Sequence, residues 1–151
     1  MNLPEDFKEF IELLNAHKVN YLIVGGYAVG FHSRPKFTND LDIWVDNSPE
    51  NAGKVLNVLK VFGFEELDIR IEDLTSPDRV IQLGYAPLRI DIMMSVSGLN
   101  FNEAYQNRVN GKYLGVEAHF ASIDDILQNK KSSGRTKDLE DINWIRKYHK
   151  K

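Results

Sequence analysis

Apolar residues at Phe7, Phe10, Ile11, Leu13 and Leu14 recur at helical spacing within "PEDFKEFIELLNAHK", and Pro4 suits the first turn of that helix. The pattern then changes. "VNYLIVGG" is a short apolar run rich in β-branched and aromatic residues, stopped by two glycines, and predicts a strand. "YAVGFHS" predicts a short helix opening at Gly26, and "DLDIWVD" alternates as a strand does. "SPENAGKVLNVLKVFG" carries Ser48 as N-cap and Pro49 at the first helical position, and Gly63 ends it. Residues 65–78 are polar and match neither period. "RVIQLGYAPLRIDIMMS" predicts two strands around a turn near Ala86-Pro87. "NFNEAYQNRV" predicts a short helix, and "GKYLGVEAHFA" one or two short edge strands. Ser122 caps "IDDILQNKKSS", with Asp125 at the capping-box position and Gly134 as the stop. "RTKDLEDINWIRKYHKK" predicts a last helix whose apolar stripe is Leu139, Ile142 and Ile145.

This order predicts an α+β domain: a small mixed β-sheet with flanking helices. At 151 residues the chain fits one domain, with a core over about residues 20–120 and C-terminal helices over about 122–149. The formal net charge of -3 gives no global basic field for duplex nucleic acid. There are no cysteines, which excludes disulfides and thiolate metal sites. "MNLPEDFKEF" lacks the basic and apolar regions of a secretory signal, and no apolar run reaches transmembrane length. The expectation is a cytoplasmic protein that does not engage a membrane.

The chemistry concentrates in "VGGYAVGFHSRPKFTNDLDIWVD". On a strand, Asp40 and Asp42 share one face, while Leu41 and Ile43 share the other, the natural core face. Two carboxylates on one face repel, and partial burial would raise a pKa or recruit a cation. Asp91 is a third acid, set between Ile90 and Ile92, where an unpaired charge is costly. If the strands are neighbours, the three acids converge and can hold two Mg²⁺ or Mn²⁺ ions roughly 3.5–4 Å apart, as in-line phosphoryl transfer requires. A Gly25-Gly26 turn that opens a helix presents free N–H groups to a triphosphate. The structural alternatives are an ordinary turn, a solvated acidic edge, and an Asp91–Arg89 ion pair. Trp44 shares a face with Asp42, where it either stacks on a base or packs in the core. The four histidines show no metal-binding spacing.

These segments, with "LRIDIM" and the later block "LQNKKSSGRTKDLEDI", resemble the nucleotidyltransferase superfamily of DNA polymerase β-like fold. They are similar in particular to its minimal members and to the toxin-type members of bacterial toxin–antitoxin systems. The resemblance covers roughly residues 20–145. Family members commonly carry a small residue directly after the glycines, where this chain has Tyr27. What the resemblance implies is transfer of an NMP from an NTP, such as ATP, to an acceptor hydroxyl, with release of pyrophosphate. Asp40, Asp42 and Asp91 would be the catalytic metal ligands. Gly25, Gly26, Arg34, Thr38, Lys130 and Arg135 would bind the nucleotide. Lys130 and Arg135 lie around the break before the last helix, where side chains are expected to stay solvated. Asp138 would orient one of them, and Asp141, four residues after Lys137, is expected to form a surface ion pair with it.

The acceptor could be a tRNA 3′ end, a protein hydroxyl or a small molecule such as an aminoglycoside or lincosamide. The chain is short, so a homodimer, an antitoxin or another partner chain would complete the cleft. The competing expectation is a catalytically silent protein of this fold that binds or regulates a partner, as an antitoxin does. Retention of all three acids favours the enzyme, since a scaffold has no use for a costly acid cluster.

Overall fold

The computed structural model describes residues 3–35, 38–64, 68–85, 88–113 and 115–149. The elements run α1 (Leu3–Ala16), β1 (Tyr21–Val24), α2 (Gly25–His32), β2 (Asp40–Val45), α3 (Pro49–Phe62) and α4 (Ile71–Thr75). They continue with β3 (Val80–Tyr85), β4 (Leu88–Met93), α5 (Phe101–Gln106), β5 (Val109–Tyr113), β6 (Val116–Phe120), α6 (Ile123–Ser133) and α7 (Thr136–Tyr148). The strands form one mixed six-stranded sheet, ordered β3-β4-β2-β1-β6-β5. The fold class is therefore the α+β arrangement that the pattern predicts.

Local signals set most boundaries. Ser48 Oγ accepts from Asn51 N at 3.3 Å and starts α3, which Gly63 ends in the left-handed region at φ +103°. Ser122 Oγ accepts from Asp125 N at 3.2 Å and starts α6, which Gly134 ends at φ +66°. The return half of that capping box is not made through Asp125 Oδ2, which is buried without a hydrogen-bond partner. The turn expected at Ala86-Pro87 lies outside the described residues.

Two expectations are corrected. Of the two strands from "GKYLGVEAHFA", only β5 is an edge, because β6 lies inside the sheet, parallel to β1. In α7, Leu139 is 55% exposed, whereas Asp138, Asp141, Ile142 and Ile145 are buried. The inner stripe of α7 is thus charged in its first turns, because it faces a buried lysine on α6.

The register of β2 and β4 positions the site. They pair in parallel, with Asp40 opposite Arg89, Asp42 opposite Asp91 and Trp44 opposite Met93. Leu41, Ile43, Ile90 and Ile92 point to the other face, and all four are fully buried in the core. On the acid-bearing face, Trp44 is sealed by an edge-to-face contact with Phe101 of α5, ring centroids 5.1 Å apart. Trp44 therefore packs in the core and takes no part in base stacking.

Candidate active site

Directly opposed residues on neighbouring strands share a face, so Asp42 and Asp91 stand side by side, with Asp40 two residues along β2. On the far side of β2, Val24, the last residue of β1, lies opposite Asp42. Gly25 follows at φ +70°, and a Cβ there would overlap Asp42 Oδ2. Both the backbone conformation and the contact demand glycine at this position. A Cβ on Gly26 would stand 2.8 Å from Thr38 Oγ1, so the second glycine is needed for the approach of the chain returning to β2. Thr38 precedes the strand, and its hydroxyl donates to the Asp40 carbonyl at 3.4 Å. Tyr27 packs its ring against Phe7 and Tyr113, and its hydroxyl donates to the Thr38 carbonyl at 3.4 Å.

The acids line a cleft of about 500 Å³. One wall carries Gly25, Asp40, Asp42, Asp91 and Arg89, and the other carries Asn129, Lys130, Ser133, Arg135 and Lys137. Among the residues expected to bind nucleotide, Gly25, Lys130 and Arg135 come together with the three acids. Gly26 and Thr38 support the turn from behind. Arg34 is not brought there: its guanidinium lies 5.2 Å from the Tyr148 ring centroid, and its carbonyl accepts from Trp144 Nε1 at 2.9 Å.

Lys130 departs from its expected solvated state. It is buried, with Nζ 2.9 Å from Asp141 Oδ2 and 3.5 Å from Asp138 Oδ1. Its position on the inner face of α6, where that helix meets α7, accounts for this. Asp141 is correspondingly a buried partner of Lys130, and its burial corrects the expected surface position. Asp138 orients both cations, since it also accepts from Arg135 Nε at 2.9 Å and from Arg135 N at 3.2 Å. Burial favours the neutral form of Asp138. Hydrogen bonds from Arg135 and Ser133 and the Lys130 charge outweigh it and hold the carboxyl well below the usual carboxylate range. Arg135 itself stays 72% exposed at the cleft rim.

Arg89 and Lys137 were not predicted as site residues. Arg89 was visible two residues before Asp91, but only as an ion-pair candidate. Its Nε donates to Asp91 Oδ1 at 2.9 Å, and its Nη2 lies 3.5 Å from Asp40 Oδ2. Lys137 carries no local signal, because only the α6–α7 turn swings it toward Asp42.

Burial, followed by the charges of Asp91 and Asp40, pushes the Asp42 carboxyl up to about 6, despite relief from Lys137 and Lys130. An unfolded aspartate titrates near about 4, so the folded state favours protonated Asp42. The stability from this group is full below about pH 4 and is lost as pH rises through about 6, on the order of 3 kcal/mol in all. Urea denaturation of ligand-free protein should show this loss between about pH 4 and 7, and Asp42→Asn should flatten it. An unchanged pH slope in the variant would overturn this assignment.

The donor chemistry suits a hard divalent cation: carboxylate oxygens on adjacent strands, with Asp42 destabilised by its neighbours' charge. As arranged, no three His, Cys, Asp or Glu side chains among the described residues enclose a metal. Asp40 and Asp91 are drawn instead to the Arg89 guanidinium. Binding such an ion through all three acids would require that guanidinium to move aside.

Residues 1–146 match the family model described as "Nucleotidyltransferase of unknown function (DUF6036)". The chain belongs to this nucleotidyltransferase family. No curated protein is similar to it in sequence. Two solved structures share the nucleotidyltransferase fold. One is TM1012 from Thermotoga maritima, an inferred nucleotidyltransferase, 16% identical over 95% of this chain and 92% of that one, with a TM-score of 0.61. The other is the lincosamide antibiotic adenylyltransferase LnuA with lincomycin bound, 15% identical over 94% of this chain and 95% of that one, with a TM-score of 0.57. In this nucleotidyltransferase the acid-lined cleft opens where β1 ends and β2 begins. No helix among its described residues is long and apolar enough to cross a membrane.

Proposed function

We propose that this nucleotidyltransferase moves an NMP from an NTP to an acceptor hydroxyl and releases pyrophosphate. The observation that carries the reading is the in-register pairing of Asp42 with Asp91, beside Asp40 and beneath the Gly25 turn. Asp40, Asp42 and Asp91 would hold two Mg²⁺ or Mn²⁺ ions. When bound, these ions supply charge neutralisation at the α-phosphate and acidify the acceptor hydroxyl. The Gly25 turn positions the triphosphate through backbone N–H groups at the start of α2. Arg135 and Lys137, from the opposite wall, neutralise charge on the departing pyrophosphate, and Lys130 supports that wall from within. Asp91 takes the acceptor's proton as the new O–P bond forms and the α–β phosphoanhydride bond breaks.

ATP is the first nucleotide to test, in keeping with the adenylyl transfer named for LnuA. A tRNA 3′ end, a protein and a small molecule are the acceptor classes. Incubation with labelled NTPs, Mg²⁺ and either total tRNA or lysate separates them. An antitoxin, another partner chain or a second copy of this chain would supply further acceptor surface.

An NTP with Mg²⁺ should raise the melting temperature more than either alone. At a hundredfold excess over Kd the gain is about 2.7 kcal/mol. The absence of a shift with all four NTPs at millimolar levels would count against the site. Binding without transfer to any acceptor would favour a silent regulatory protein.

A further inference from the structure

The acid row is not bare. Arg89 lies on the same face of β4 as Asp91 and opposite Asp40. Its guanidinium spans the two carboxylates, 2.9 Å from Asp91 Oδ1 and 3.5 Å from Asp40 Oδ2. The side chain is about one-third exposed and lines the cleft, so it is free to turn toward a ligand there. Its two partners are the carboxylates that flank Asp42 on this face.

We propose that Arg89 is a built-in counter-cation that competes with the divalent ion for Asp40 and Asp91, and that it releases them when a triphosphate arrives to accept its guanidinium. The inference rests on the metal-dependent reading above and assigns a further residue to it. A guanidinium presents the same planar fork to a carboxylate and to a phosphate, so the exchange replaces one charge-assisted pair with another. Without the nucleotide, an incoming cation must break the pairs to Asp91 and Asp40. With the nucleotide, the phosphate repays that loss. Beyond direct metal–phosphate contact, metal and nucleotide therefore gain further positive coupling through one side chain whose two positions each ligand biases. The protein would thus avoid holding metal in a site with no substrate.

The test is calorimetric titration of Mn²⁺ into wild type and Arg89→Gln, with and without an α,β-methylene ATP analogue that cannot transfer. Wild type should bind Mn²⁺ weakly alone and more tightly with the analogue, within the roughly 5–150-fold range of such couplings. Arg89→Gln should bind Mn²⁺ alone roughly tenfold more tightly than wild type, and the analogue's enhancement should shrink by a similar factor, leaving the part that direct metal–phosphate contact supplies. Arg89→Lys keeps the charge but lacks the fork, and it should move both quantities in the same direction by less. It also serves if the glutamine variant does not fold. A merely structural Arg89 would leave the enhancement ratio intact, and an unchanged ratio with unchanged Mn²⁺ affinity overturns the proposal. If neither wild type nor variant binds Mn²⁺ even with the analogue, the metal reading itself falls and takes this inference with it.

Discussion

Asp91→Asn is expected to fold normally and to lose transfer by roughly 10²–10⁴-fold, the usual scale for removing a group that moves a proton in the transition state. Asparagine keeps an oxygen that can accept from Arg89 Nε, so the geometry at β4 survives. Arg89 loses one anionic partner but retains Asp40, and it is partly solvated. Against that small loss stands a gain. After burial, the Asp91 charge is the strongest influence against ionised Asp42, and its removal lets the Asp42 carboxyl fall part of the way back toward the ordinary range. The two effects oppose each other, so the melting temperature of the ligand-free variant should stay within about 2–4 °C of wild type, as expected for a net change near 1 kcal/mol in a domain of this size. The paired measurements are ligand-free melting and transfer to the identified acceptor. A variant that melts normally and still transfers at the wild-type rate removes Asp91 from the chemistry. One that loses several kcal/mol makes the Arg89–Asp91 pair a structural tie.

What could be read from the chain, and what could not, divides by distance along it. Capping at Ser48 and Ser122 and stops at Gly63 and Gly134 act within one helical turn, so spacing alone exposes them. The alternation of Asp40 and Asp42 with Leu41 and Ile43 is equally local, and each side chain lands on the expected face. The juxtaposition of Asp42 with Asp91 is different. It depends on a parallel pairing of strands far apart in sequence, which no local pattern dictates. The same non-locality hides Lys137, which only the α6–α7 turn brings to the cleft, and the interior position of β6 beside β1. It also misleads in α7. Leu139 fits the apolar period, but the buried neighbours of that stripe are Asp138 and Asp141, because the surface they meet is a lysine.

Lys130→Met should cost about 3–5 kcal/mol of stability, the range seen when one member of a buried ion pair is removed. Methionine preserves most of the stem's volume, so the loss would report charge rather than a cavity. Lys130 Nζ sits 2.9 Å from Asp141 Oδ2, and both side chains are almost wholly buried, at 8% and 2% exposed. Asp138 keeps its bonds from Arg135, so the exposed side of the cluster survives. Asp141 would retain a buried negative charge without the Lys130 ammonium, and of the polar ties from α6 to Asp138 the Ser133 hydrogen bond would remain. Denaturation in urea measures the loss, and a variant within about 1 kcal/mol of wild type would place Lys130 on the solvated surface after all. Lys130→Met combined with Asp141→Asn separates stability from ligand binding. Removing both charges should restore part of the stability, because a buried pair contributes little over a neutral replacement. If Lys130 serves only the α6–α7 packing, the NTP-dependent rise in melting temperature should return with the fold. If its charge also reaches the cleft, where it already helps to stabilise ionised Asp42, the fold should recover while that rise stays diminished.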